Sequence, residues 1–394
     1  MNAPVKQHLI DPEICIRCHA CEEACPIGAI THNDDNVVVD MEKCGHCLNC
    51  IGPCPTGAID NWRVVDRTYS IEEQFEWMEL PEQQDFAAEN EGGPALDEAI
   101  QNLLNEAHSG AGGATRAPQS ASMPVINQHM ISDPVKGRVQ GNFRLTEEGS
   151  GSDVRHIIID MGDHPFSILE GQSIGIIPPG FDGAGKPHLP RLYSISSPRD
   201  GERPKTNNIS LTVKREEHGI CSNHVCDLER DDEVVLVGPF GSTFLMPNDP
   251  DANIIMICTG TGSAPFRAFT MQRQRTAPDL ANKLMLFFGA RSSDSLPYFG
   301  PLEKIPDSFL KKVFCLSREP GEPKKYVQDG LIGESAALAK LLEEPETYIY
   351  ICGLKAMEEG VETAFGEIMS KAGRDWHKIK TLMRESGRYH VETY

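Results

Sequence analysis

The chain has 394 residues, a length that implies two or three domains rather than one core. Hydrophobic residues make up 39% and aromatic residues 7%, which excludes wholesale disorder. A run of about 18 apolar residues is missing, which excludes a transmembrane helix. The opening residues lack the apolar core of a signal peptide, so a soluble, cytoplasmic protein is expected. The net charge of −21 is uneven: residues 1–60 carry nine acids against three bases, and residues 61–125 carry twelve against three. Such a front end argues against nucleic acid, which needs a basic footprint. It leaves either a basic partner protein or a merely solvated acidic surface.

Eight of the thirteen cysteines lie between Cys15 and Cys54. In an unexported chain such short spacings point to metal rather than to disulfides. They form one repeat, Cys15-x2-Cys18-x2-Cys21-x3-Cys25-Pro26 and then Cys44-x2-Cys47-x2-Cys50-x3-Cys54-Pro55, each half continuing as Pro-x-Gly-Ala-Ile. Three cysteines at i, i+3 and i+6 wrap one corner of an iron–sulfur cube, and the fourth, before proline, reaches across to the other cube. One [4Fe–4S] cluster is therefore expected on Cys15, Cys18, Cys21 and Cys54, and a second on Cys44, Cys47, Cys50 and Cys25. Zinc sites use paired C-x2-C units separated by longer loops, which is a different spacing. Residues 1–60 resemble the bacterial two-cluster ferredoxins, implying an α+β ferredoxin unit. His19 and His46 sit inside the ligand loops, either donating to sulfur or simply facing solvent.

Residues 61–125 read as an acidic connector. Ser70-Ile71-Glu72-Glu73 is a capping-box pattern, with Ile71, Phe75 and Met78 at helical spacing. Gly92-Gly93-Pro94 breaks that helix, and a second apolar stripe follows at Leu96, Ile100, Leu103, Leu104 and Ala107. The stretch 109–122, rich in Gly, Ala, Ser and Pro, reads as flexible linker.

Residues 126–248 show short alternating strands at 154–160, 192–196, 209–214 and 233–237, the signature of a small antiparallel β-barrel. Along Arg191-Leu192-Tyr193-Ser194, alternation puts Arg191 and Tyr193 on one side and Ser194 on the other. Arg191 can pair a phosphate, Tyr193 offers a face to an aromatic ring, and Ser194 can hydrogen-bond a ring nitrogen. Gly219-Ile220-Cys221-Ser222-Asn223 then opens a helix, whose free N–H groups suit a pyrophosphate. Together with Glu170 to Pro178 and Gly238-Pro239, these blocks resemble the plant-type ferredoxin–NADP reductase family, over about residues 130–394. The resemblance implies that Arg191, Tyr193, Ser194, Gly219, Ile220, Cys221 and Ser222 hold FAD, with Thr212, Val213 and Lys214 flanking the flavin. Between Lys214 and Gly219 this chain is shorter than the plant enzymes. The backbone of Cys221 rather than its thiol is expected to matter, and Cys226 reads as a buried small side chain.

Residues 249–394 change rhythm, with strand-like runs at 254–257, 284–288, 313–316 and 348–351 alternating with helices, which means an α/β parallel sheet. The first run ends in Cys258-Thr259-Gly260-Thr261-Gly262, where glycines let the chain approach a pyrophosphate at a helix N-terminus; family members usually have Gly in place of Cys258. Ser317-Arg318 closes the third run, with Lys324 and Tyr326 close behind. A basic residue there accommodates a 2′-phosphate, whereas a carboxylate accepts the ribose hydroxyls of NAD. Glu319 is the acid adjoining Arg318 in a net basic stretch, so NADPH is expected, and the resemblance places Ser317, Arg318, Lys324 and Tyr326 around its phosphate. Arg291 either assists or faces solvent. Cys352-Gly353-Leu354 caps the fourth run. A chain end normally frays, but the resemblance implies that the terminal Tyr394 covers the flavin ring and yields to nicotinamide. It also implies that Ser194, Cys352 and Glu392 lie beside the hydride path, with Cys352 packing rather than attacking.

Hydride transfer moves two electrons, and each cluster takes one; a flavin between them gives these parts a reason to share a chain. The expected activity is an NADPH-dependent oxidoreductase that passes electrons from NADPH to FAD, through two [4Fe–4S] clusters, to an external protein. The domain order and the ending Glu392-Thr393-Tyr394 resemble the reductase components of di-iron oxygenases in aerobic aromatic degradation, implying such an oxygenase as acceptor. One alternative is the same enzyme running in reverse to make NADPH. Another is a non-catalytic carrier or redox sensor, which would have no use for a guarded hydride path.

Overall fold

The computed structural model describes residues 5–44, 50–51, 53–59, 62–65, 67–81, 115–164, 166–183, 185–204 and 206–393. Two short antiparallel ribbons frame the cysteine loops: β1 (Val5–His8) pairs with β4 (Trp62–Val65), and β2 (Ile30–His32) with β3 (Val37–Val39). Ile10, Ile30, Val37, Val39, Ala58 and Ile59 make a small core, and Cys15, Cys25, Cys44 and Cys54 pack against it. A core of this size is marginal by itself, and bound metal is the usual supplement. Helix α1 (Ala20–Glu23) carries Cys21 into that core.

The packing of this unit runs past residue 60. After β4, Ser70 forms the capping box that opens α2 (Ile71–Phe75): its N–H donates to the Glu73 carboxylate at 2.9 Å, and its Oγ accepts the Glu73 N–H at 3.3 Å. The expected apolar stripe does not continue, because the helix stops after five residues and Met78 is 89% exposed. The side chain that α2 buries is polar. Gln74 accepts the Val39 N–H at 3.2 Å and donates to the Val39 carbonyl at 2.9 Å, pairing with β3 as another strand would. The second stripe, Leu96 to Ala107, lies outside the described residues.

From Thr115 onward the expected flexible linker is held down instead. Thr115 Oγ1 is 3.1 Å from His390 Nδ1, and the Ser120 carbonyl accepts the Asn248 N–H at 3.2 Å. Buried Ser122 accepts from Arg199 at 2.9 Å and from Asn248 at 2.8 Å. The segment turns at Pro118–Ala121, where the Ala121 N–H donates to the Pro118 carbonyl at 3.0 Å, and others of its carbonyls and hydroxyls are met by groups from distant residues.

Six antiparallel strands follow: β5 (Val135–Arg144), β6 (Val154–Asp160), β7 (Ser173–Ile177), β8 (Arg191–Ser194), β9 (Asn208–Lys214) and β10 (Glu233–Phe240). Their order is β8-β7-β10-β5-β6-β9, and a bridge between Ile195 and Leu211 closes the ring into a barrel. Val139, Ile157, Ile174, Leu211 and Val234 fill it, and α3 (Ile220–Asp227) presses Val225 and Cys226 onto one end. Asn142 donates to the Cys226 and Leu228 carbonyls at 3.1 and 2.8 Å, serving acceptors that a last helical turn leaves unpaired.

The rest is a parallel sheet of β11 (Asn253–Thr259), β12 (Leu284–Ala290), β13 (Leu310–Leu316), β14 (Thr347–Gly353) and β15 (Tyr389–Thr393), ordered β13-β12-β11-β14-β15. Its helices include α4 (Ala264–Thr276), α5 (Phe299–Glu303), α6 (Val327–Gly333), α7 (Ser335–Leu341), α8 (Lys355–Lys371) and α9 (Trp376–Glu385). Ile254, Met256 and Cys258 enter one core and Ile255 and Ile257 the other, which is why β11 is apolar without alternation. The chain end does not fray through Thr393, since β15 pairs with β14 and buries Tyr389 and Val391. Strand order reverses at β11, so the crevice at the carboxyl ends of β11 and β14 is the topological switch point where such sheets take ligands.

Arginines of α4 lock this sheet to the barrel. Arg267 donates to the Ser196 carbonyl at 2.8 Å and to Glu202 Oε2 at 3.0 Å, and Arg275 donates to the Gly201 and Glu202 carbonyls at 2.9 Å each.

Candidate functional site

The cysteine loops converge around the small core. Cys21 and Cys50 are buried and Cys18 is exposed. Burial, with Cys54 and then Cys15 as the nearest like charges, pushes the Cys21 thiol up to about 11. Cys54 and Cys15 therefore both lie within electrostatic reach of Cys21. Thiols gathered in one place ionise together only beside a cation, and an iron–sulfur core supplies that charge, so the donor set fits the cluster. Cys25 Sγ accepts the Ala29 N–H at 3.2 Å, and Cys50 Sγ lies 3.6 Å from Nδ1 of buried His8. His8 carries no local signal: it lies outside the ligand loops and arrives only through the pairing of β1 with β4. His19 makes its contacts with Glu22 and His32 instead. Cys47 and His46 lie outside the described residues. Cys54, Pro55 and Thr56 line a cavity of about 670 Å³ together with Arg199, Asn248 and Arg273, so the cysteine-rich unit abuts the barrel and sheet.

On the barrel, Arg191 is exposed while Tyr193 and Ser194 are half-buried at the end of the sheet. Burial beside the Cys221 thiol raises the Tyr193 phenol, keeping it neutral. Gly219 leads into α3 under a tight constraint: a Cβ there would lie 2.3 Å from Ser222 Oγ and 3.1 Å from Glu216 Cβ. Ser222 Oγ accepts the Glu216 N–H at 3.1 Å and donates to the Gly219 carbonyl at 3.2 Å, which shapes the turn. The first N–H groups of α3, on Ile220, Cys221 and Ser222, are those a helix start leaves for an anion, so this cradle fits a pyrophosphate. Cys221 Sγ points inward to the Ile176 carbonyl at 3.6 Å, and burial pushes the Cys226 thiol up to about 11; both pack as small core side chains.

The strand expected to flank the flavin is committed elsewhere through its side chains. Thr212 Oγ1 is 2.6 Å from the Tyr298 hydroxyl, Val213 is buried in the barrel, and Lys214 donates to Glu216 at 2.6 Å. The Tyr298 hydroxyl also lies 2.9 Å from His156 Nδ1. Glu202 accepts from Arg267 and lies 3.3 Å from His156 Nε2, so barrel and sheet share one polar network. Sequence reading misses this network because its five members come from five separate segments.

At the switch point, the turn after β11 touches the end of β14. A Cβ on Gly262 would sit 2.1 Å from the Cys352 carbonyl oxygen, and one on Gly353, at φ +140°, would sit 2.6 Å from Thr259 Oγ1. Thr259 Oγ1 accepts the Leu354 N–H at 3.2 Å, tying the two loops together. Thr261 lies within the single 3₁₀ turn Gly260–Ser263 that leads into α4. Cys352 and Glu392 are register partners at the ends of β14 and β15. Burial, then the Glu392 carboxylate, holds the Cys352 thiol well above its usual range, which favours its neutral form. Cys258 is fully buried in the sheet. Tyr394 lies outside the described residues.

A basic rim follows at the ends of β12 and β13. Ser317 and Arg318 donate their N–H groups to the Ala290 and Arg291 carbonyls at 3.0 and 2.6 Å, which sets exposed Arg291 and Arg318 side by side. Lys324 and Tyr326 are exposed on the connection to α6. Glu319, the acid beside Arg318, is already occupied: its carboxylate accepts the Ser293 N–H at 2.7 Å and the Ser293 hydroxyl at 3.0 Å. It is therefore engaged away from ribose hydroxyls, and the rim suits a phosphate.

A 4Fe–4S dicluster domain model matches residues 14–58, and an oxidoreductase NAD-binding domain model matches residues 256–363. The ferredoxin–NADP reductase of Synechocystis sp. is 34% identical over 334 residues, covering 80% of each chain. The chain belongs to the ferredoxin–NADP reductase family. The Spirulina sp. ferredoxin–NADP reductase is 38% identical over 288 residues, covering 68% of this chain and 98% of that protein. Among solved structures, the ferredoxin–NADP⁺ reductase from Plasmodium falciparum matches with a TM-score of 0.55 at 26% identity, covering 68% of this chain and 99% of that one.

This reductase is an NADPH-dependent oxidoreductase that binds FAD and carries iron–sulfur clusters. Bound FAD supplies an exchange between hydride and single electrons. Among the described residues, no helix is long and apolar enough to cross a membrane.

Proposed function

We propose that the reductase delivers electrons from NADPH, by way of FAD and both clusters, to a di-iron oxygenase, as the reductase component of benzoyl-CoA 2,3-epoxidase in aerobic aromatic degradation. The observation that carries the reading is the cluster unit on the same chain, which makes a separate carrier unnecessary. Its ligand Cys18 is exposed and flanked by Ile14 and Ile16, 47% and 63% exposed, a face suited to one-electron exchange with a docked protein. In this reading Arg191, Tyr193, Ser194 and the start of α3 hold FAD, with the backbone of β9 alongside. The turn Thr259 to Gly262 and the loop Gly353-Leu354 hold the NADPH pyrophosphate. Ser194, Cys352, Glu392 and Tyr394 border the hydride path.

The 2′-phosphate falls to Arg291, Ser317, Arg318, Lys324 and Tyr326. A mutant of the Plasmodium falciparum reductase at 26% identity is described in complex with 2′P-AMP, which supports a phosphate at this rim. Replacing Arg318 by alanine removes a charged hydrogen bond worth about 1.5–3 kcal/mol, so the KM for NADPH rises about ten- to hundredfold. The NADH reaction, lacking the phosphate, stays within about twofold, and steady-state kinetics with both nucleotides checks the pair.

Anaerobic titration with NADPH, and separately with NADH, tests the direction of flow by absorbance and electron paramagnetic resonance. Flavin bleaching together with a reduced-cluster signal at low NADPH excess is the expected result. Flavin reduction with both clusters silent would instead favour the enzyme running toward NADPH.

A further inference from the structure

We propose that His19, Glu22 and His32 form a binding site for a divalent metal ion of the zinc class, separate from both clusters. His19 Nδ1 lies 3.3 Å and His32 Nδ1 2.7 Å from the same Glu22 oxygen, and the three donor atoms all fall within 4.8 Å of one another. Zinc bonded to nitrogen and oxygen at about 2.0–2.1 Å in a tetrahedron sets its donors roughly 3.3 Å apart, so a small adjustment seats the ion.

The donors come from three pieces of backbone. His19 is the left-handed residue at φ 60° that precedes α1, Glu22 lies within α1, and His32 ends β2. The two imidazole rings lie tilted at 53° with centroids 4.1 Å apart. Two imidazoles and one carboxylate suit zinc and its neighbours in the first transition row, whereas calcium and magnesium want oxygen throughout. Side-chain exposures of 38%, 29% and 46% leave a way in and a fourth position open to water. No thiol takes part, so the ion does not compete for cluster ligands. Bound there, it pins the segment bearing Cys18 and Cys21 to the β2–β3 ribbon and sets positive charge beside the first cluster.

Equilibrium dialysis of the holoenzyme, with both clusters in place, against zinc sulfate and then buffer tests this by elemental analysis of zinc and iron. One zinc per chain with unchanged iron is expected. His32→Ala and Glu22→Gln each weaken zinc binding about tenfold or more while iron and NADPH–ferricyanide turnover stay at wild-type values. Three outcomes overturn the proposal: no zinc taken up by the wild type, equal uptake by both variants, or zinc gained only as iron is lost. In the first case the trio is a hydrogen-bonded contact and nothing more.

Discussion

Replacing Cys54 by alanine removes half of the iron and leaves the other cluster in place, and the cluster lost is the one held by Cys15, Cys18 and Cys21. Cys54 is far from that triplet in sequence, yet after burial its charge, then that of Cys15, raises the Cys21 thiol. Losing one of four thiolates opens an iron to water, and cluster binding weakens or fails. Ferricyanide accepts electrons from the flavin, so NADPH–ferricyanide turnover stays within about twofold. Reduction of a protein acceptor that needs both clusters falls about a hundredfold, the upper range for disturbing a metal centre. Iron analysis and the resonance spectrum of the reduced protein read the result. If Cys54→Ala loses the same cluster as Cys44→Ala, the crossing is wrong and each cysteine run holds its own cluster.

The second large effect is expected at Gly262. An alanine Cβ there would lie 2.1 Å from the Cys352 carbonyl oxygen, 2.5 Å from its carbon and 2.9 Å from Gly353 Cα. All three are backbone atoms and cannot rotate away, so the turn after β11 and the end of β14 must part. Displacements near 1 Å at a positioning site cost about a hundredfold in rate, and Gly262→Ala should lower kcat/KM for NADPH by that much. FAD content should not change, because the barrel lies apart from this contact. Gly260→Ala is the control: its Cβ meets nothing within 4 Å, although φ +55° adds backbone strain, about 1 kcal/mol for a non-glycine residue. Near-wild-type kinetics for Gly262→Ala would mean that NADPH does not use the crevice between β11 and β14.

Short-range patterns carried much of the design. The i, i+3, i+6 cysteine spacing, the Ser70–Glu73 box, the unbroken apolar run of β11 and the glycines after it each act within a few residues. The same physics holds in a peptide and in the folded chain, so these features are legible early. Strands β5, β7 and β15 are less so. Gly137 and Gly141 interrupt the pattern of β5, and β15 gains its place only by pairing with β14 near the end of the chain.

What the sequence by itself determined, then, is the chemistry: iron–sulfur clusters, a glycine turn opening a helix on a barrel, and a second such turn on a parallel sheet with a basic rim. What the tertiary structure decided is which groups those parts meet. Gln74 joins β3, Ser122 straps Arg199 to Asn248, Thr212 turns to Tyr298, His8 reaches Cys50, and Glu319 is spent on Ser293. Each of these is a polar group whose burial is tolerable only with a partner, and each partner lies far away in sequence. Spacing along the chain specifies a donor or an acceptor, while closure of the barrel and sheet selects which distant atom satisfies it.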